Sequence, residues 1–247
     1  MPTLKAKHDP DIVIVNGENA AHGKGINPKI CTAFYDWGVD VITTGNHIWA
    51  QREIIPYIAN DPNLLRPVNY PPHTPGNGAV KFRTSEGQTI MVINAMGRLF
   101  MEEMDDPFRM VKAMVAKETM GKTVDAIFVD FHAEATSEKM AFAHYLGGEV
   151  SAVIGTHTHI PTADHHIMAS GTAFMADAGM TGDYNSVIGV HPSIPVDKFV
   201  RKMPGAKFEP AKGEATLCGV LIETNNANGL ATSINPVRVG GVLSATI

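Results

Sequence analysis

Val153-Ile154-Gly155-Thr156-His157-Thr158-His159-Ile160 is the stretch on which the reading of this chain turns. Small and β-branched residues run into a glycine, the pattern of a buried strand reaching its end. Two histidines follow, two positions apart. In extended backbone residues i and i+2 point to the same side, so His157 and His159 are expected to face one point in space. Neutral imidazole is a common ligand for Zn, Mn and Fe, and a strand end is a rigid mounting for a metal. Taken alone, a His-x-His pair reads equally well as two solvated or hydrogen-bonded loop histidines.

Working outward, three more apolar strands end in polar clusters. Ala126-Ile127-Phe128-Val129-Asp130-Phe131 delivers His132-Ala133-Glu134. Val39 to Thr44 delivers Gly45-Asn46-His47, and Asp11 to Val15 delivers Asn16-Gly17-Glu18-Asn19. The last cluster continues into His22-Gly23-Lys24-Gly25, whose glycines let backbone N–H groups approach a ligand. Between these strands the spacing predicts helices. Asn27 caps one with Pro28 at its first position, running to Trp37. Others span Gln51 to Ala59, Pro107 to Lys117 and Ser137 to Tyr145, the last with Thr136 as N-cap and His144 as a plain helix-face residue. Lys5 to Pro10 reads as a helix tail and turn. Hairpins are predicted around Ser85-Glu86-Gly87 and Ala169-Ser170-Gly171, a short helix within His191 to Arg201, and closing strands at Ala215 to Glu223 and Leu230 to Val239.

Strands alternate with helices for two-thirds of the chain and then give way to hairpins. That order predicts an α/β fold, with sheets in layers and helices outside. Every polar cluster lies at the C-terminal end of a strand, where open α/β sheets place ligands. No repeat, low-complexity tract or linker interrupts residues 1–247, so a single domain is expected.

Composition narrows the function. The chain has 247 residues, 44% of them hydrophobic and 18% charged, enough to build an ordinary core. Its net charge of −5 offers no polyanion-binding surface, so a phosphate-bearing substrate would need positive charge placed locally, as by metal ions. Cys31 and Cys218 form no C-x-x-C pattern, and neither a signal peptide nor a membrane-spanning run is recognisable. Cytoplasm is the expected compartment.

Together the candidates are Glu18, Asn19, Asn46, His47, His132, His157 and His159. Carboxylate and amide oxygens mixed with imidazoles suit Mn, Fe or Zn better than Ca or Mg alone. The set is too large for one tetrahedral ion and suits two ions sharing a carboxylate. Two such metals clamp a phosphoryl group and activate water, and a histidine left over can protonate the leaving oxygen.

Asn16-Gly17-Glu18-Asn19, Gly45-Asn46-His47, His132 and Gly155-Thr156-His157-Thr158-His159 resemble the calcineurin-like metallophosphoesterase signature. More narrowly, the chain resembles the bacterial YmdB-like subfamily, whose members act as 2′,3′-cyclic nucleotide phosphodiesterases; the likeness runs from Asp9 over nearly the whole chain. The resemblance implies the calcineurin-like fold: two packed mixed β-sheets flanked by helices. It implies two Fe, Mn or Zn ions bridged by Glu18. Asn46, His132 and His157 would complete one site with Glu18, and His159 with Asn19 the other. His47 would contact the phosphate and protonate the leaving oxygen, although Ile48 stands where the wider superfamily has an acidic partner for it.

Family members begin with a strand ending in Gly-Asp, whose Asp is a metal ligand, and no such strand is found here; Met1 to Lys7 resembles the end of the helix that follows it. The expectation is therefore a chain lacking its first strand, with one metal site weakened, poor activity and an unpaired edge beside Ile12 to Val15 that invites homo-oligomers. The expected partner is a small phosphoester, without membrane or nucleic acid. A phosphomonoesterase, a nuclease, or a catalytically impaired regulatory protein on the same scaffold are the alternatives.

Overall fold

The computed structural model describes residues 2–246. Its centre is a six-stranded mixed sheet. The strands are β3 (Ala79–Arg83), β4 (Thr89–Met96), β5 (Ala126–His132), β6 (Ala152–Thr156), β7 (His166–Ile167) and β8 (Ala173–Met175). They lie in the order β3-β4-β5-β6-β8-β7, with β4, β5, β6 and β8 parallel and the outer strands antiparallel. Two further ladders are separate: β1 (Ile14–Asn16) pairs in parallel with β2 (Val41–Thr43), and β9 (Leu217–Thr224) pairs antiparallel with β10 (Ala231–Val239).

The period-two alternation of β4, β5 and β6 sorts residues onto two faces. Ile93, Ala95, Ile127, Val129, Phe131 and Val153 turn to one side and are covered by α4 (Pro107–Val115) and α5 (Thr136–Leu146). There Phe131 stacks on Phe142 at 4.0 Å between ring centroids, and Phe108 meets Phe142 edge-on at 5.2 Å. Each large side chain buried in this layer is worth about 1.5–3 kcal/mol. Val92, Phe128, Ala152 and Ile154 turn to the other side and pack against both small ladders. Further along that same face the apolar residues give way to Asn94, Asp130, His132 and Thr156, all at the C-terminal strand ends.

Most predicted elements are present with shifted ends. The helix capped by Asn27 is α2 (Pro28–Asp36), following α1 (Pro2–His8), and the Asn27 side chain accepts the Ile30 N–H at 2.9 Å. The strand expected from Asp11 begins only at Ile14, because the Asp40 carboxylate takes the Val13 N–H at 2.8 Å before any ladder forms. The helix expected over Gln51 to Ala59 is instead a 3₁₀ turn, Ile48–Ala50, followed by α3 (Ile54–Ile58). Thr136 is the first residue of α5 rather than its cap; Ala135 holds the cap position without a side-chain bond. The helix predicted within His191 to Arg201 is α6 (Ser193–Arg201). The second sheet layer is present as two ladders rather than one continuous sheet. Met1 lies outside the described residues. No described helix is long and apolar enough to cross a membrane.

Candidate metal centre

Four strand ends deliver four ligand-type side chains to one place. Glu18 follows β1, Asn46 follows β2, His132 closes β5 and His157 follows β6. The meeting point is Nε2 of His132. Glu18 Oε2 lies 2.8 Å from it, Asn46 Oδ1 3.0 Å and His157 Nδ1 3.1 Å. Donor atoms from Glu18, His132 and His157 all fall within 4.8 Å of one another. Around a four-coordinate cation with bonds of about 2.0–2.1 Å, ligand atoms sit roughly 3.3 Å apart, so the cluster has nearly the right size.

Proton bookkeeping shows what the cluster lacks. Asp130 is an acceptor for three donors: Thr43 Oγ1 at 2.5 Å, Thr156 Oγ1 at 2.7 Å and Asn16 Nδ2 at 2.9 Å. Thr156 thus spends its only proton on Asp130, and must accept from His132 Nδ1 at 2.9 Å. A neutral His132 protonated on Nδ1 then aims the lone pair of Nε2 at a carboxylate oxygen, an amide oxygen and another imidazole. Lone pairs gathered this way need a cation among them, either a second proton on His132 or a metal ion. Burial alone would raise the Glu18 carboxyl, but the charge and hydrogen bond of His132 and the backbone N–H of His47 outweigh it and hold it at about 2. Burial and the neighbouring His132 charge push His157 down to about 4, so its ring is neutral at pH 7 and free to coordinate. Its other nitrogen, Nε2, is held by Glu134 at 3.1 Å. The residues present therefore fit a transition-metal ion, and hydrogen-bonded imidazoles of this kind orient ligands and raise their basicity.

The backbone that carries the two histidines of the opening stretch is not extended, which corrects the geometry expected of it. β6 ends at Thr156, and His157 and His159 take φ of 100° and 69°. Such left-handed backbone is costly for non-glycine residues. His157 enters the cluster, whereas His159 Nε2 faces Asn19 Nδ2 at 3.1 Å. His159 donates its Nδ1 proton to the Ile188 carbonyl at 2.9 Å, which leaves the Nε2 lone pair to accept from Asn19 Nδ2. Beside it, Asn19 Oδ1 is buried without a hydrogen-bond partner. His159 and Asn19 thus form a second, sparser donor pair next to the first centre.

Sequence reasoning missed the groups that hold this geometry. Lys139 of α5 and Asp177 are both buried and paired at 3.1 Å. The same carboxylate accepts the Thr158 N–H at 2.9 Å, the Thr158 hydroxyl at 2.7 Å and the Gly179 N–H at 2.8 Å, pinning the residue between the two histidines. Asp130 and Thr156 fix the His132 tautomer. The alternation of β5 offered a signal for Asp130, since it stands two residues before His132 on the same face; nothing local marked Lys139. His47 sits at the edge of the cluster, with Asn46 Nδ2 3.4 Å from its Nδ1 and Glu18 Oε1 accepting its backbone N–H at 2.9 Å. Burial lowers its pKa, opposed by Glu18 and reinforced by Lys24 and His132.

Glycine at 45 is required by this packing: a Cβ there would stand 2.3 Å from His132 Nε2. Gly45→Ala is expected to displace the ring and weaken metal binding by about 10–100-fold, the loss typical when ligand orientation is disturbed. Titration of chelator-treated protein with Zn or Mn, read by calorimetry, checks this; unchanged affinity would contradict the site.

The chain is 43% identical to the 2′,3′-cyclic-nucleotide 2′-phosphodiesterase of Bacillus subtilis, over 97% of this chain and 89% of that protein. Among solved structures it resembles a hypothetical protein from Thermus thermophilus, with a TM-score of 0.88 and 38% identity over 98% of this chain and 91% of the other. A phosphatase from Mycoplasma pneumoniae superposes with a TM-score of 0.89 and 35% identity, over 96% of this chain and 85% of the other. The match to the family model begins at residue 1 and gives the expected shortening no support. With residues 1–237 matched, the chain belongs to the YmdB-like protein family.

Proposed function

We propose that this phosphoesterase is a metal-dependent phosphodiesterase acting on 2′,3′-cyclic nucleotides. The observation that carries the metal requirement is the convergence of Glu18, Asn46 and His157 on His132 Nε2. The activity of the Bacillus subtilis relative supports the substrate class. When bound, an Fe, Mn or Zn ion at this centre supplies Lewis-acid polarisation of the phosphoryl group and lowers the pKa of a water toward neutrality. Glu18, Asn46, His132 and His157 would hold it. Asn19 and His159, with Glu18 shared, would hold a second ion more weakly, because they bring no carboxylate of their own.

His47 is the proton donor in this reading. Its Nδ1 faces the Asn46 amide, which leaves Nε2 to carry a proton toward substrate. Burial disfavours the imidazolium in the free chain, and an arriving phosphate anion favours it again. A departing ribose oxygen is a poor leaving group and needs that proton; p-nitrophenolate does not. His47→Gln is therefore expected to cost about 10²–10⁴-fold with 2′,3′-cyclic AMP and much less with bis-p-nitrophenyl phosphate, at unchanged metal content. Equal losses with both substrates would remove His47 from this role. A panel adding 3′,5′-cyclic AMP, p-nitrophenyl phosphate and a single-stranded oligonucleotide separates the diesterase from a phosphomonoesterase, a nuclease or an inactive regulatory protein.

A further inference from the structure

Phe100 is the most exposed large apolar side chain of the described residues, at 83%, and it stands at the mouth of the metal centre. A cleft of about 330 Å³ is lined by Asn46, Phe100, Met101, Glu102 and His157, which puts Phe100 on the same cavity as two of the candidate ligand residues. That volume is of the order expected for a small-ligand site. The ring's position is costly on two counts. Its surface stays in water, and its backbone takes φ of 63°, a region that bulky residues rarely adopt.

The loop is nevertheless fixed. Both oxygens of Glu138, in the first turn of α5, accept backbone N–H groups from it, Arg98 at 2.9 Å and Leu99 at 3.1 Å. Gly97 donates to the carbonyl of His132 itself at 2.9 Å. Substitution at 97 is closed off, since a Cβ would lie 2.5 Å from Glu138 Oε2 and 2.6 Å from Ala133 Cβ. The aromatic side chain is thus carried on a strained turn, bolted to the strand that ends in His132, and left 83% exposed. Strain kept at such a place points to a ligand.

We propose that Phe100 is the stacking platform for the nucleobase of the substrate, so that the cleft recognises a nucleoside phosphodiester rather than a phosphodiester in general. The inference rests on the cyclic-nucleotide reading above. With the phosphate at the cluster, a base lies outward along the cleft toward Phe100. Every base has a π-face, so the platform tolerates all of them and adds affinity without reading sequence. Glu102 beside it disfavours a second phosphate and thereby short oligonucleotides.

The test compares wild type, Phe100→Ala and Phe100→Tyr with 2′,3′-cyclic AMP, 2′,3′-cyclic CMP and ethylene cyclic phosphate, which has the reacting ring but no base. Phe100→Ala is expected to lower the ratio of kcat/KM between cyclic nucleotide and ethylene phosphate by roughly 5–150-fold, mainly through KM. Phe100→Tyr should restore it for both nucleotides. A ratio unchanged in Phe100→Ala, or not restored by tyrosine, overturns the platform while leaving the phosphodiesterase reading intact. Wild-type enzyme that cleaves ethylene phosphate but neither nucleotide overturns both. Because the side chain is exposed, melting temperature and metal content of Phe100→Ala should match wild type; a shift in either assigns Phe100 a structural role and also sinks the proposal.

Discussion

His132→Ala is expected to reduce kcat/KM by ~10³-fold or more, the equivalent of removing about 4 kcal/mol of transition-state stabilisation. Among the described residues none touches more partners of the centre: its Nε2 faces Glu18, Asn46 and His157, and its Nδ1 is fixed through Thr156 by Asp130. Removing the ring leaves the Glu18 carboxylate, 2% exposed, with only the His47 N–H as partner among these groups. An uncompensated buried charge costs about 3–5 kcal/mol, so the apoprotein should also melt earlier. Steady-state kinetics and melting curves with and without chelator check both effects. His132→Asn serves as control, keeping a hydrogen bond to Thr156 while losing the imidazole; it should regain stability but not turnover. Turnover within tenfold of wild type in either variant would contradict the assignment.

Asp177→Ala is expected to destabilise the fold by about 3–5 kcal/mol, because it strands the Lys139 ammonium in a fully buried place. It should also lower turnover, since Thr158 loses both of its bonds to the carboxylate and the His157–His159 turn loses its anchor. The two effects separate in the double replacement Lys139→Met with Asp177→Leu. An apolar pair of similar size commonly matches a buried ion pair in stability, so the fold should recover while the turn stays unpinned and activity stays low. Denaturant unfolding and kinetics on the three proteins measure this. Recovery of activity together with stability would mean that the pair serves the core alone.

The sequence announced the scaffold because strand ends are local events. Apolar runs at Ala126 to Phe131 and Val153 to Gly155 stop at polar residues, and the stops are where the candidate ligands stand. Helix α2 was legible for the same reason: Asn27 and Pro28 encode its start without help from the rest of the chain. What is set over long separations was not legible. The expectation that His157 and His159 converge assumed extended backbone, whereas Asp177, about twenty residues onward, bends the turn by binding Thr158. The Lys139–Asp177 pair spans 38 positions and Asn16–Asp130 spans 114, and no window around either partner contains the other. Phe100 could be found only by its exposure, since in sequence it is one aromatic residue in a loop.

Elemental analysis of the purified chain decides whether these strand ends hold a metal. About one tightly held Fe, Mn or Zn ion per chain is expected, lost in His132→Ala, with a second ion at the Asn19–His159 pair retained only at high metal concentration. A chain that holds no transition metal, or one whose metal content is the same with and without His132, would contradict this expectation.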